Sequence, residues 1–152
     1  MFVRLALKQD LPAIVEMARM NCEISTSFLT FAPERVEETF RGYLERAETT
    51  FFVVEDKREV VGFLLATING YRHATGLWTS QEVLFVRPDK HGTRAAVLLM
   101  KELVRWSESL GAIEIKGGND NDFKSERTAR FLEHFGFERV GFAMRRMLKH
   151  GR

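Results

Sequence analysis

A short run of this sequence, His91-Gly92-Thr93-Arg94-Ala95-Ala96, combines residue types suited to holding an anion. It follows the apolar stretch Val83-Leu84-Phe85-Val86 and opens a strongly periodic apolar segment. A helix start presents unpaired backbone N–H groups and a partial positive charge, so a phosphate can rest there when no bulky side chain blocks the approach. Gly92 and Ala96 leave such room, and Thr93 or Arg94 could add direct contacts. The same residues also suit ordinary strand-to-helix punctuation, and both readings stand at this point. A carboxylate can take a proton, and Glu82 stands just before the apolar stretch. A carboxylate in a low-dielectric groove has its pKa raised toward working pH, as a general base requires; a carboxylate facing solvent at a strand start is the plain alternative. Asp122 and Glu126 are weaker candidates for that role.

Other polar groups carry less. Asn119-Asp120-Asn121-Asp122 lacks the Asp-x-Asp-x-Asp-Gly…Glu spacing of a calcium loop, and no metal site is expected. Cys22 shares a helical pattern with Ile14, Met17 and Ala18, so it reads as a small buried hydrophobe rather than a nucleophile. His134 reads as a solvated helix residue.

These groups must be positioned by alternating elements. Residues 2–7 alternate as a strand; Asp10 can cap a helix over 11–23, with Pro12 in its first turn. A second helix runs over 33–48, with Val36, Phe40 and Leu44 on one face and a mixed charged surface opposite. Residues 51–55 and 60–68, joined by Asp56-Lys57-Arg58-Glu59, read as an antiparallel hairpin. A loop over 69–79 leads to a central strand at 81–86. In the helix 93–110, Ala95, Leu99, Leu103, Trp106 and Leu110 form an apolar stripe that Gly111 ends. A strand at 112–116, a helix at 126–135 closed by Gly136, and a last strand at 140–148 complete the order. Central hairpins followed by strand-helix-strand crossovers predict a mixed, largely antiparallel sheet with helices on both faces.

The 152 residues make one domain, 1–152, large enough for a core without metal or disulfide help. A net charge of +2 gives no reason to expect nucleic acid, and the basic end (Arg145, Arg146, Lys149, His150, Arg152) reads as a solvated tail. One cysteine forms no internal disulfide and fits a reducing compartment. No charged start leads into a long apolar core, and no apolar run approaches the ~20 residues that span a bilayer. A cytoplasmic protein without membrane contact is expected.

Taken as a set, these elements resemble the GCN5-related N-acetyltransferase superfamily. Its acetyl-CoA motif, Arg/Gln-x-x-Gly-x-Gly/Ala, aligns on His91 to Ala96 after the family-like Val86-Arg87-Pro88-Asp89. His91 stands where Arg or Gln is usual, and Arg94 where glycine is usual. "AVLLMKELVRWSESLGAIEI", "ERTARFLEHFGFERVGF" and the "FFVVEDKREVVGFLLA" hairpin resemble the family in order and spacing, over nearly the whole chain.

The resemblance implies a splayed central strand pair with pantetheine lying in the gap, and pyrophosphate on amides from Gly92 to Ala96, Ala95 included. It implies acetyl transfer from acetyl-CoA to a primary amine by direct attack, with a backbone N–H among Leu84, Phe85 and Val86 meeting the developing oxyanion and Glu82, on the central strand where many relatives place a carboxylate, as the leading candidate for the base, acting directly or through water. Arg94 would turn out to pair with a phosphate, and His91 is either a weaker phosphate contact or an exposed turn residue. The tyrosine that many relatives use to protonate the thiolate is Leu132 here, and the asparagine before that helix is Ser125. Ser125, an ordered water, or Tyr71 from the 69–79 loop would take that role, or no dedicated acid exists. Acceptor choice would fall to residues 24–33 (Phe28, Leu29, Phe31) and 70–79 (Tyr71, Trp78), with Glu34, Glu37 and Glu38 attracting a cation. Dimers are common among such relatives. The alternative reading is a non-catalytic module on the same fold that binds CoA or a protein partner.

Overall fold

The computed structural model describes residues 1–46, 49–119 and 121–151. Five strands pair in chain order: β1 (Phe2–Leu5), β2 (Thr49–Asp56), β3 (Glu59–Gly70), β4 (Leu77–Val86) and β5 (Glu114–Lys116). The first three junctions are antiparallel and the β4–β5 junction is parallel. Helices α1 (Leu11–Ser25) and α2 (Pro33–Glu45) cover one face, and α3 (Ala95–Ser109) and α4 (Ser125–Glu133) the other. This is the expected mixed, largely antiparallel sheet between helices.

Strand alternation sorts the core into two clusters. Phe51, Val53, Phe63 and Phe85 meet Ile14, Met17 and Phe40 on the α1/α2 face. Phe52, Val54, Leu64 and Ala66 meet Leu99, Met100 and Leu103 on the other. Two contacts fix where the site will lie. The buried hydroxyls of Thr79 and Ser107 share a 2.6 Å hydrogen bond that pins α3 to β4. Gly62 lets β3 approach β4 so closely that an added Cβ would stand 2.9 Å from the Phe85 carbonyl oxygen.

Several boundaries differ from expectation. The β3–β4 hairpin continues to Gly70↔Leu77, so the long loop at 69–79 shrinks to six residues. The second helix ends at Glu45; residues 47 and 48 lie outside the described residues. Asp10 does not cap α1: it has helical backbone angles, and its carboxylate turns back to accept from the Leu7 N–H at 2.7 Å and from Arg4 at 2.6 and 3.0 Å. A carboxylate this buried needs charged partners more than a helix needs one cap. Cys22 is half-buried rather than enclosed. The last strand is absent: residues 137–148 have no regular structure, because no edge of the sheet within this chain lies alongside them.

Candidate functional site

Strand β4 makes the site by losing a neighbour. It pairs with β5 only from Trp78↔Glu114 to Ser80↔Lys116, then runs on for six residues with β3 alone beside it. Gly117 and Gly118 carry the chain away from β5, and the Gln81 side-chain oxygen accepts from the Gly118 N–H at 3.3 Å, just where the strands part. The splay expected between the central strands is therefore present. Within the gap, alternation decides which backbone groups are open. The Arg87 N–H donates to Val61 on β3 and the Phe85 carbonyl abuts Gly62, so Phe85 faces β3. Leu84 and Val86 then direct their N–H and C=O groups away from β3, where His91 takes up the Val86 carbonyl.

Chain geometry after Val86 builds the candidate anion seat. A short 3-10 turn over Pro88–Lys90 reverses direction, and Gly92 takes φ +83, in the left-handed region that favours glycine. An added Cβ at Gly92 would meet nothing within 4 Å, so dihedral angle rather than crowding calls for glycine there. Thr93 ties the turn before the cap residue Arg94: its hydroxyl donates to the Lys90 carbonyl at 2.6 Å and accepts from the Ala95 N–H at 3.3 Å. Among the described residues, the N–H groups of Gly92, Arg94, Ala96 and Val97 have no acceptor. Ala95 is fully buried, anchoring the first turn on the core.

Side chains around the seat divide by what already holds them. Arg87 is bound to Asp89 at 2.7 Å and Lys90 to Asp56 at 3.1 Å; these hydrogen bonds hold both carboxyls below the usual carboxylate range. His91 places a ring nitrogen 3.0 Å from the Val86 carbonyl, fastening the turn to the strand end. Arg94 is exposed and makes no ion pair among the described residues.

Glu82 occupies a bulge, since Leu65↔Val83 is followed by Ala66↔Gln81 and leaves it unpaired. It is exposed, so the chain alone does not provide the low-dielectric groove expected around it. A line of hydroxyls holds it instead. Asn69 donates to Thr67 at 2.9 Å, Thr67 and Ser80 share a hydrogen bond, and Ser80 donates to the Glu82 carboxylate. Asn69, Thr67 and Ser80 carry no motif in the sequence; the available signal is polar residues at alternate positions, 67 and 69 on β3 and 80 and 82 on β4.

The remaining candidates are scattered. Ser125 is the exposed first residue of α4. Leu132 is buried in the α3/α4 core, so that position does not open on the gap. Tyr71 buries its hydroxyl near Glu114, where β4–β5 pairing begins; burial foremost, with the Glu114 charge, pushes its pKa up. It stands at the opposite end of β4 from Gly92–Ala96. Tyr43 is occupied as well, donating to the Ala6 carbonyl at 2.7 Å. Asp122 and Glu126 lie in the loop after β5 and the first turn of α4, and Arg139 holds Glu126 at 2.8 Å. No cluster of metal-binding side chains occurs among the described residues.

The acetyltransferase (GNAT) family matches residues 16–137, from α1 through the end of α4. This chain belongs to that family. Solved structures of members and look-alikes agree in fold. A transcriptional regulator from Bacillus halodurans C-125 superposes with a TM-score of 0.82 at 17% identity, covering 96% of this chain and 98% of that one. An aminoglycoside antibiotic 6'-N-acetyltransferase from Acinetobacter haemolyticus reaches 0.76 at 13% identity, covering 98% and 99%. A Trypanosoma brucei acetyltransferase reaches 0.74 at 19% identity, covering 96% and 98%. No curated protein matches the sequence significantly. Among the described residues of this GNAT protein, no helix is long and apolar enough to cross a membrane.

Proposed function

We propose that this GNAT protein is an acetyl-CoA-dependent N-acetyltransferase, passing an acetyl group directly to a primary amine in the cytoplasm. The observation that carries the reading is the set of amides without acceptors, Gly92, Arg94, Ala96 and Val97, at the mouth of the gap beside β4. The fit is chemical: a pyrophosphate brings anionic oxygens to these donors, and the amides of pantetheine can pair with a strand edge. Acetyl-CoA would supply the activated acyl thioester. The four amides hold the pyrophosphate, and the unpaired Arg94 turns out to a phosphate oxygen. His91 and Thr93 shape the seat by fastening the strand end at Val86 and tying the turn before α3.

Leu84 and Val86 offer the strand groups that face the gap. One of their N–H groups donates to the charge developing on the acyl oxygen. Glu82, aimed by Ser80, takes the proton from the amine directly or through a water, leaving the nitrogen lone pair free to form the new N–C bond. As the C–S bond breaks, the departing thiolate takes a proton, for which Ser125, at the start of α4, or an ordered water would stand in for the family's usual helper. The second reading, binding without turnover, draws on one observation: Leu132 is sealed in the core where relatives place a hydroxyl.

The test is release of free CoA thiol from acetyl-CoA with a panel of small amines, aminoglycosides, polyamines and peptide N-termini. Amine-dependent release that falls about 10²-fold or more in Glu82→Gln, with acetyl-CoA affinity kept, is expected. Binding without release for any acceptor would favour the second reading.

A further inference from the structure

Strand β4 changes character at its bulge. On the side of the sheet that α1 and α2 cover, Phe63, Leu65, Val83 and Phe85 make an apolar row. Past Leu65↔Val83 the pairing resumes at Ala66↔Gln81, and the extra residue shifts the alternation of β4 by one. Thr79 therefore turns to α3, where Ser107 holds it, and Ser80 turns to the other side, opposite Thr67. The apolar row continues as a polar one, Thr67, Asn69 and Ser80, with Glu82 at the join.

Counting protons fixes the direction of every hydrogen bond in that polar row. An ionised carboxylate only accepts, so the Ser80 hydroxyl donates to Oε1 of Glu82. That spends the single Ser80 proton, and the bond between Thr67 and Ser80 must run from Thr67. Thr67 is left as an acceptor, which the Asn69 side-chain nitrogen satisfies at 2.9 Å. Ser80 is only 5% exposed, so its hydroxyl depends on these partners rather than on water. Every donor points the same way, and each bond polarises the next toward the carboxylate.

The line also distinguishes the two oxygens of Glu82. Ser80 donates to Oε1, and the Thr67 hydroxyl stands 3.4 Å from the same atom. Among the described residues no group donates to Oε2, and the side chain is exposed.

We propose that Asn69, Thr67 and Ser80 are positioning residues that reserve Oε2 of Glu82 as the atom that takes the amine proton. The assignment rests on the acetyltransferase reading of the same site. As the amine nitrogen forms its bond to the acyl carbon, an N–H bond breaks and its proton passes to Oε2. Oε1 stays hydrogen-bonded to Ser80 throughout, and no proton of the hydroxyl line moves. The exposed carboxyl then gives its proton to water, which restores the carboxylate for the next turnover. Asn69, whose amide has donors to spare, is the fixed end from which the line takes its direction.

Steady-state kinetics with acetyl-CoA and the amine that the wild type uses best, together with thermal melts, test the assignment. Thr67→Val keeps the side-chain shape and removes the hydroxyl; kcat should fall about tenfold, with KM for acetyl-CoA and the melting temperature kept. Thr67→Ser, which returns the hydroxyl, should recover most of that loss. Asn69→Leu should lower kcat in the wild type but not further in Thr67→Val, because Asn69 acts only through that hydroxyl. A neutron structure of the wild type should place the deuterium between Thr67 and Ser80 on Thr67. Wild-type kcat in Thr67→Val, additive losses in the double variant, or a Thr67 deuterium directed at Asn69 would overturn the assignment. A wild type that releases no CoA with any amine would refute the acetyltransferase reading and this inference with it. Turnover that the variants match would refute this inference alone.

Discussion

Thr93 separates two roles that its position at the proposed phosphate site would otherwise confuse. Its hydroxyl already donates to Lys90 and accepts from Ala95, so it ties the turn that leads into α3 and has no donor left for a phosphate. Thr93→Ala removes both bonds, which costs about 1 kcal/mol, or a melting-temperature loss of about 2–4 °C for a chain of this size. It also releases the Ala95 N–H, so acetyl-CoA affinity should change less than about threefold. Thr93→Asp keeps an acceptor for Ala95 but puts a negative charge beside the proposed phosphate site. For two charges about 5 Å apart at an effective dielectric near 20, the repulsion is ~3 kcal/mol. Solvent and salt reduce it to ~1–2 kcal/mol, about a tenfold weakening. Thermal melts and calorimetric titration of both variants give the comparison. If Thr93→Ala lost tenfold or more in affinity with its melting temperature unchanged, the hydroxyl would be a ligand contact, and the assignment of Thr93 to the turn would be wrong.

Gly62→Ala should cost about 1–3 kcal/mol, because its Cβ would press on the Phe85 carbonyl and on Val54, neither of which can give way; an unchanged denaturation midpoint would contradict that. Asp10→Asn should lower stability at neutral pH by about 2 kcal/mol, since it removes the buried one of Arg4's two carboxylate partners and leaves only Glu55. Burial alone would raise the Asp10 pKa, but the hydrogen bonds from Arg4 and Leu7 and the Arg4 charge outweigh it and hold it low. The stabilisation is therefore complete above the ordinary carboxylate pKa of ~3.9 and is lost as pH falls through the lower folded value. Melts from pH 7 to 2.5 should show the gap between wild type and Asp10→Asn closing below about pH 4, and a constant gap would refute the pairing.

The periodic segments were legible because each obeyed one rule. The Ala95–Leu99–Leu103 stripe, the hairpin at Asp56–Glu59 and the glycine stops at 111 and 136 all appear where local pattern put them. Misses came where a distant partner decided the outcome. Asp10 carries the residue type of a cap, yet Arg4, brought near by β1, claims its carboxylate. Residues 140–148 have strand alternation, but alternation cannot say whether an edge is within reach. At the site, Gly92 was legible as special and its reason was not: φ, not crowding, demands it. The bulge at Glu82 left no mark in the sequence, because it depends on the register between β3 and β4.

Calorimetric titration with acetyl-CoA, with ATP as the phosphate-bearing control, tests the central claim most directly. The account predicts selective acetyl-CoA binding with Kd in the ~1–100 μM range, weakened about tenfold or more by Arg94→Glu without loss of thermal stability. No binding, or equal binding of ATP, would mean that the open amides at Gly92–Val97 do not form a donor site.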